Sequence, residues 1–230
     1  MSAFNRPKSL TELVTENLRD RIVAGDFELG AQLSEARIAK EIEVSRTPVR
    51  EAINRLEMEG LLVVEPQRGS FVFSLEPNEL AKLCDARVCL ETAALTYAIQ
   101  ERPQDLAEAL EACASRMALA REAGNASEYL ALDTLFHQCF FDCAGNRFLN
   151  DAYQTIALKM AALRNRLGRH PDHMAKSFRE HFELLEAVKE RDAQKALEIL
   201  TAHIDRKEGS YWSDVTGATQ GSLPVNHQQP

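Results

Sequence analysis

Hydrophobic residues recur with a period near 3.6 along most of the chain, and this pattern predicts a mainly helical protein. The first predicted helix covers residues 9–24, where Ser9 and Glu12 have the spacing of a capping box. A short second helix follows Ser34, and a third begins at Ser45. All three segments place their apolar residues on one side, so they are expected to pack around a shared core.

The hydrophobic period then changes from 3.6 to 2. Residues 61–64 and 71–73 are rich in β-prone side chains, and the six residues between them include Gly69. This arrangement predicts a β-hairpin. Three helices and a hairpin form a compact unit, which we assign to residues 1–74, followed by a linker at 75–79.

The remainder of the chain returns to the helical period. Six helical segments are predicted, separated by glycine, proline or polar residues, at 78–100, 103–123, 126–143, 147–167, 172–190 and 193–209. They indicate an all-helical second domain over residues 80–210. The polar residues 211–230 are expected to be a disordered tail.

Composition and charge exclude several functional classes of protein. The 230-residue chain carries a net charge of −8, which argues against a protein that coats nucleic acid by general attraction, so any contact with nucleic acid must come from a local patch. The sequence has no long apolar run typical of a membrane span or an export signal. Its five cysteines lack the spacing of a disulfide framework. We expect a cytoplasmic protein that does not bind membranes.

The second and third helices have the layout of a helix-turn-helix. The third helix opens with Arg46, Thr47 and Arg50, and a recognition helix enters the major groove by its amino-terminal end. Arginine is suited to bidentate contact with guanine. The hairpin would form a wing, with Arg68 and Gly69 at its tip along the DNA backbone or the minor groove. A solvated basic helix face with an ordinary surface turn is the less favoured alternative.

These residues also carry a family resemblance. The run Ser-Arg-Thr-Pro-Val-Arg-Glu-Ala at residues 45–52, with Leu-Ser-Glu at 33–35 and Arg-Gly at 68–69, resembles the winged-helix domain of the GntR family of bacterial transcription regulators. The resemblance implies a homodimer that binds a palindromic double-stranded DNA operator. It also implies DNA contacts from a set of polar residues, namely Arg37, Arg46, Thr47 and Arg50.

Three apolar stripes of the second domain each include polar residues with metal-binding chemistry. Asp133 and His137 are four residues apart, so they lie only about 40° apart on the core-facing side of one helix. His181 and His203 lie at about equal distances from a tight turn between two helices, which places them at one level. One aspartate and three histidines suit zinc best, while nickel, manganese and iron are also compatible.

Other interpretations of these residues stay open. Each histidine alone is more often a packed core residue than a metal ligand, and only the coincidence of three stripes favours a metal. Arg87 and Glu91 fall within the stripe of the first helix of this domain, either as a surface pair or turned inward, where an arginine could bind an anionic ligand. Cys139 and Cys143 are predicted to point away from the histidines.

A second resemblance covers residues 78–208. Its motifs are Arg87 with Leu90-Glu91, Asp133-x-x-x-His137, Gly145-Asn146, Glu180-His181 and His203. They resemble the FCD effector domain of the FadR subfamily of GntR regulators. The resemblance implies a bundle of six or seven helices, a divalent metal bound by Asp133 and the three histidines, and a small carboxylate effector near Arg87 and Asn146.

The sequence thus predicts a winged helix-turn-helix followed by an all-α bundle, in a ligand-responsive transcription regulator that is not an enzyme. Repression is the expected mode, with the effector changing the separation of two winged units. One alternative is a sensor whose signal is the metal itself. Another is a metal-dependent enzyme with an open coordination position, although the chain lacks an H-E-x-x-H motif and a recognisable nucleophile.

Overall fold

A computed structural model describes residues 7–167 and 171–204. Within these residues the chain forms nine helices and three short strands, and the mainly α fold class is confirmed. No helix in the described part is long and apolar enough to cross a membrane. The end of the last predicted helix, at 205–209, and the predicted tail at 211–230 lie outside the described residues.

The amino-terminal domain is a winged helix-turn-helix. Its elements in chain order are α1 (Leu10–Ala24), β1 (Gln32–Leu33), α2 (Glu35–Glu41), α3 (Arg46–Met58), β2 (Leu62–Glu65) and β3 (Gly69–Val72). The capping box of α1 is confirmed, because the Ser9 side chain accepts from the Glu12 amide while the Glu12 carboxylate accepts from the Ser9 amide. Gly25 ends α1 in the left-handed conformation that glycine favours.

The wing is a three-stranded antiparallel sheet in the order β1-β3-β2. Its β2–β3 hairpin is confirmed, with Leu62 opposite Val72. The sequence did not predict β1, because two residues are too few to show an alternating pattern. Buried aliphatic side chains of α1 and α3 form the core beneath this sheet, including Leu18, Ile22 and Leu56.

Six helices form the second domain within the described residues, as predicted. They are α4 (Pro77–Glu101), α5 (Pro103–Glu122), α6 (Ala126–Ala144), α7 (Arg147–Leu167), α8 (Pro171–Lys189) and α9 (Ala193–Ile204). Helix α6 lies centrally and packs against α4, α5 and α7. Phe136 and Phe140 on α6 are fully buried, so the polar residues that share this face lie in the interior of the bundle.

Helix α7 also packs against α1, and this contact joins the helical domain to the winged domain. The Asn165 side chain donates a hydrogen bond of 2.9 Å to the Val23 carbonyl at the end of α1. The Arg166 guanidinium donates a bond of 2.7 Å to the Phe27 carbonyl. Both bonds run from a helix of the bundle to the backbone of the winged domain, so α7 connects the two domains.

Candidate metal centre and nucleic-acid interface

Three histidines from three helices meet inside the bundle. His137 on α6 and His181 on α8 are buried, His203 on α9 is partly buried, and one ring nitrogen of each lies within 4.8 Å of the others. The Nε2 atoms of His137 and His181 are 3.4 Å apart. Two nitrogens bound to one tetrahedral zinc at about 2.1 Å would also lie about 3.4 Å apart. The spacing of these nitrogens therefore fits a metal ion.

Two carboxylates fix the orientation of two of these three rings. Glu91 Oε2 lies 2.7 Å from Nδ1 of His137, and Glu180 Oε2 lies 2.9 Å from Nδ1 of His203. Because a carboxylate only accepts, each Nδ1 carries the proton and each Nε2 carries a lone pair. Metal-binding histidines are usually held in this way. The sequence patterns gave neither pairing, since Glu91 and His137 are on different helices, and so are Glu180 and His203.

Asp133 lies beside the histidines and is held by an arginine from α7. Its Oδ1 is 3.6 Å from Nε2 of His181, while its Oδ2 accepts a bond of 2.7 Å from Arg164. Burial alone would raise the pKa of Asp133, but the guanidinium of Arg164 outweighs it and holds the pKa well below its usual range. Asp133 is therefore ionised, and its partner Arg164 was not predicted from the sequence.

Two of the imidazoles are kept neutral by burial. Burial lowers the pKa of His181 to about 3, with a further contribution from neighbouring His203. Burial also lowers the pKa of His137 well below its ordinary value, and the guanidinium of Arg87 acts in the same direction. Neutral imidazole is the form that binds metal, so protons do not compete for these nitrogens at neutral pH.

Arg87 and Glu91 turn inward, so they do not form a surface pair. Both side chains are buried on α4, and the Arg87 Nε atom donates a hydrogen bond to Glu91. The Nη2 atom of the same guanidinium lies 2.9 Å from Nε2 of His137. This arginine thus occupies the lone pair that His137 would give to a metal ion, and an ion bound there would have to displace it.

Asn146 has a structural role in this arrangement. Its side-chain oxygen accepts bonds of 3.2 Å from the amides of Phe148 and Leu149 at the start of α7. This capping role is enough to explain why an asparagine stands at this position, even if no ligand binds there. Contact between Asn146 and an effector stays a prediction. Cys139 and Cys143 do not belong to the three-histidine group.

The residues predicted to face DNA are exposed at the start of α2 and α3. Arg37 and Thr47 are exposed, and the side chains of Arg46 and Arg50 are 64% and 62% exposed. Glu35 was not predicted from the sequence as part of this surface, and its carboxylate lies 3.2 Å from Arg50 and 3.8 Å from Arg46. One acidic side chain therefore holds both guanidinium groups on the same surface.

Arg68 and Gly69 lie at the turn of the wing. Arg68 is exposed and paired with Glu65. Gly69 has φ +114, and a Cβ there would lie 2.9 Å from Nε2 of Gln32. That amide also donates a bond of 2.7 Å to the Arg68 carbonyl. The positive φ therefore favours glycine at this position whether or not DNA approaches it, and a larger residue would also displace the flexible Gln32 side chain.

An exposed basic helix on a winged helix-turn-helix, joined to a helical bundle with a buried histidine cluster, defines a two-domain DNA-binding regulator. Comparison with known families agrees. Residues 10–72 match the bacterial regulatory proteins of the gntR family, and residues 82–206 match the FCD domain. The chain belongs to the GntR family of transcription regulators with an FCD domain, and this class is not one of enzymes.

Relatives with assigned roles are regulators. The chain is 28% identical over 195 residues to the gluconate operon transcriptional repressor of Bacillus subtilis, covering 83% of this chain and 79% of that protein. It is 25% identical over 218 residues to the transcriptional repressor RspR of Escherichia coli, covering 91% and 96%.

A solved structure has the same architecture. Escherichia coli McbR/YncC matches with a TM-score of 0.71 and 25% identity, covering 86% of this chain and 94% of that one. A GntR regulator from Rhodococcus sp. RHA1, at 23% identity, shares the fold with a TM-score of 0.70 and covers 92% of this chain and 99% of its own.

Proposed function

We propose that this protein is a homodimeric transcriptional repressor whose helical domain binds one divalent metal ion and a small carboxylate effector. The observation that carries the proposal is the buried convergence of His137, His181 and His203. Two relatives are named as repressors, and one of them is named for the operon of gluconate, a sugar acid. A small organic acid is therefore the first class of effector to test.

The donor set supports a metal of the zinc type. His137, His181 and His203 would bind through Nε2, and Asp133 through its Oδ1 oxygen. A bound divalent ion would supply a positive centre able to coordinate a carboxylate oxygen. Zinc is the leading choice, and nickel, manganese or iron could occupy the same donors.

The charges buried around the cluster favour an anionic effector. Arg87 and Arg164 carry two positive charges, which Glu91 and Asp133 balance with two negative ones. A divalent metal would add two positive charges to this balanced set. Unpaired charge is costly in a protein interior, so an anion that binds beside the metal is stabilised. The guanidinium of Arg87, once released from His137, can pair with that anion.

Helix α7 offers a route from the effector to DNA. Arg164 contacts Asp133 inside the bundle, while the next two residues, Asn165 and Arg166, bind the winged domain. A ligand that displaces Arg164 therefore acts on the helix that holds the winged domain in place. Effector binding would change the separation of the two winged units of a dimer, and only a difference in affinity for the two arrangements can shift their populations.

In this proposal the protein contacts DNA through the exposed basic side chains of α2, α3 and the wing. Arg46, Thr47 and Arg50 would read base edges in the major groove, and Arg37 would assist them from α2. Arg68 at the wing would contact the backbone, where Gly69 permits close approach. Two such surfaces in a homodimer fit a palindromic operator, because the symmetry of the protein is repeated in the site.

A thermal-shift screen of organic acids tests the proposed effector. The chain is stripped with a chelator, and one portion is reloaded with zinc. Carboxylates that raise the melting temperature of the zinc-loaded protein alone support the proposal. Zinc binding without any carboxylate response, combined with a zinc-dependent change in DNA affinity, would favour the metal-sensing alternative. Failure to bind about one zinc per chain would refute the metal site.

A further inference from the structure

Two cysteine thiols on neighbouring helices lie close together, away from the histidine cluster. The Sγ atoms of Cys113 on α5 and Cys139 on α6 are 3.9 Å apart, and both side chains are partly exposed. Bonded sulfurs are about 2.05 Å apart, so a disulfide requires an approach of about 2 Å. Cys139 is two residues from His137, or about 200° around α6, so it points away from the metal site.

The surroundings of Cys113 favour its reactive form. Contact with the Cys139 thiol lowers the pKa of Cys113 to about 7, against the opposing effect of burial, and Arg116 contributes in the same direction as Cys139. The Cys113 thiol therefore ionises more readily than an ordinary cysteine. The thiolate is the form that reacts with oxidants. A second thiol within contact can complete a disulfide before further oxidation occurs.

We propose that Cys113 and Cys139 form a reversible disulfide when the protein meets a hydroperoxide. The Cys113 thiolate attacks one peroxide oxygen and breaks the O–O bond, which leaves a sulfenic acid and releases water after proton uptake. The Cys139 sulfur then attacks the Cys113 sulfur, and a second water leaves. Two thiols and one hydrogen peroxide become one disulfide and two waters, with sulfur oxidised and peroxide oxygen reduced.

The disulfide would act on the helix that carries the histidine cluster. It would join α5 to α6, the helix that provides Asp133 and His137, and would fix the two helices against each other. Its formation requires neither metal nor effector, so it can be tested independently of the proposed function.

Peptide mapping of the full, chelator-treated chain tests the site directly. The reduced protein receives one equivalent of hydrogen peroxide, is alkylated, and is digested without reductant. We expect a peptide pair linked through Cys113 and Cys139, with two hydrogens lost, which dithiothreitol separates. These two thiols should disappear at least about tenfold faster than the exposed thiol of Cys89.

Two variants test the role of Cys139 and the specificity of the cross-link. Cys139→Ser should leave the Cys113 sulfenic acid unresolved, so that dimedone traps it, while Cys89→Ser should leave the cross-link unchanged. The proposal is overturned if wild-type Cys113 and Cys139 remain as open to alkylation as Cys89 after peroxide treatment. It is equally overturned if Cys113 oxidises without forming the cross-link.

Discussion

Glu91 and His137, 46 residues apart in sequence, are joined by a hydrogen bond of 2.7 Å inside the bundle. Both side chains are fully buried, and Glu91 also accepts from Arg87. One carboxylate therefore orients the imidazole and balances the guanidinium beside it. Glu180 orients His203 in the same way from a less buried position. The arrangement of the histidine cluster thus depends on residues that are not among the proposed metal ligands.

Glu180→Gln should weaken zinc binding by about 10- to 100-fold, the usual effect of removing a partner that orients a histidine ligand. The amide can still accept from Nδ1 of His203, but it lacks the charge that makes the ring a stronger donor. Isothermal titration of the chelator-treated protein measures the affinity. Glu183→Gln, at an exposed position on the same helix, is the matched control. Equal affinities for both variants would contradict the role of Glu180.

The metal-free protein should lose stability as the pH falls below about 6.5. Native His181, with a pKa of about 3, stays neutral, and His137 also has a lowered pKa, whereas both rings take up protons in the unfolded chain. The contribution to stability is therefore complete above about pH 6.5. It declines by up to about 1.4 kcal/mol per pH unit for each histidine as the pH falls toward the folded pKa.

Urea unfolding at about pH 7, 6 and 5 measures this decline. His181→Phe removes one such group, so the stability of the variant should depend less steeply on pH. Burial lowers the pKa of His173 as well, so His173→Gln should also flatten the slope. A wild-type stability that is constant over this range would show that the buried rings gain protons in the native state.

The sequence predicted those parts of the site that lie within periodic stripes. Asp133, His137 and His181 each interrupt an apolar helix face, and an apolar face marks the core, so their burial followed from position alone. Arg164 and Glu180 interrupt no comparable pattern, and their roles depend on how helices far apart in sequence pack. For the same reason the pairing of Glu35 with Arg50 became visible only in the folded chain.

Arg46→Ala and Arg50→Ala should each weaken binding to a DNA site enriched from random sequence, by about 1 to 3 kcal/mol if the arginine reads a base. Arg55→Ala is the charge-matched control, since Arg55 is exposed near the other end of α3. Gel-shift titrations at fixed salt compare the three variants, because affinity for DNA depends on salt. Equal losses in all three would indicate general charge attraction without base reading.

Arg87→Ala should weaken binding of a carboxylate effector by roughly 2 to 5 kcal/mol, provided that the ion pair is fully desolvated. Zinc affinity should stay equal or increase, because the variant removes a cation that competes for Nε2 of His137. Glu91 keeps its hydrogen bond from His137, so the cluster is retained. Titrations with zinc and with the carboxylate separate the two effects. Loss of zinc binding in this variant would make Arg87 a structural residue.

Asn165→Ala should uncouple the effector from DNA. Asn165 follows Arg164, which holds Asp133, and its own side chain binds the Val23 carbonyl of the winged domain. Loss of that bond loosens α7 from α1 without touching the histidine cluster, so zinc and carboxylate affinities should be unchanged. The effector-induced change in DNA affinity should decrease by about 0.5 to 2 kcal/mol. Gln154→Ala, an exposed change on the same helix, should leave it intact. If Asn165→Ala also keeps the full response, the signal does not pass through this bond.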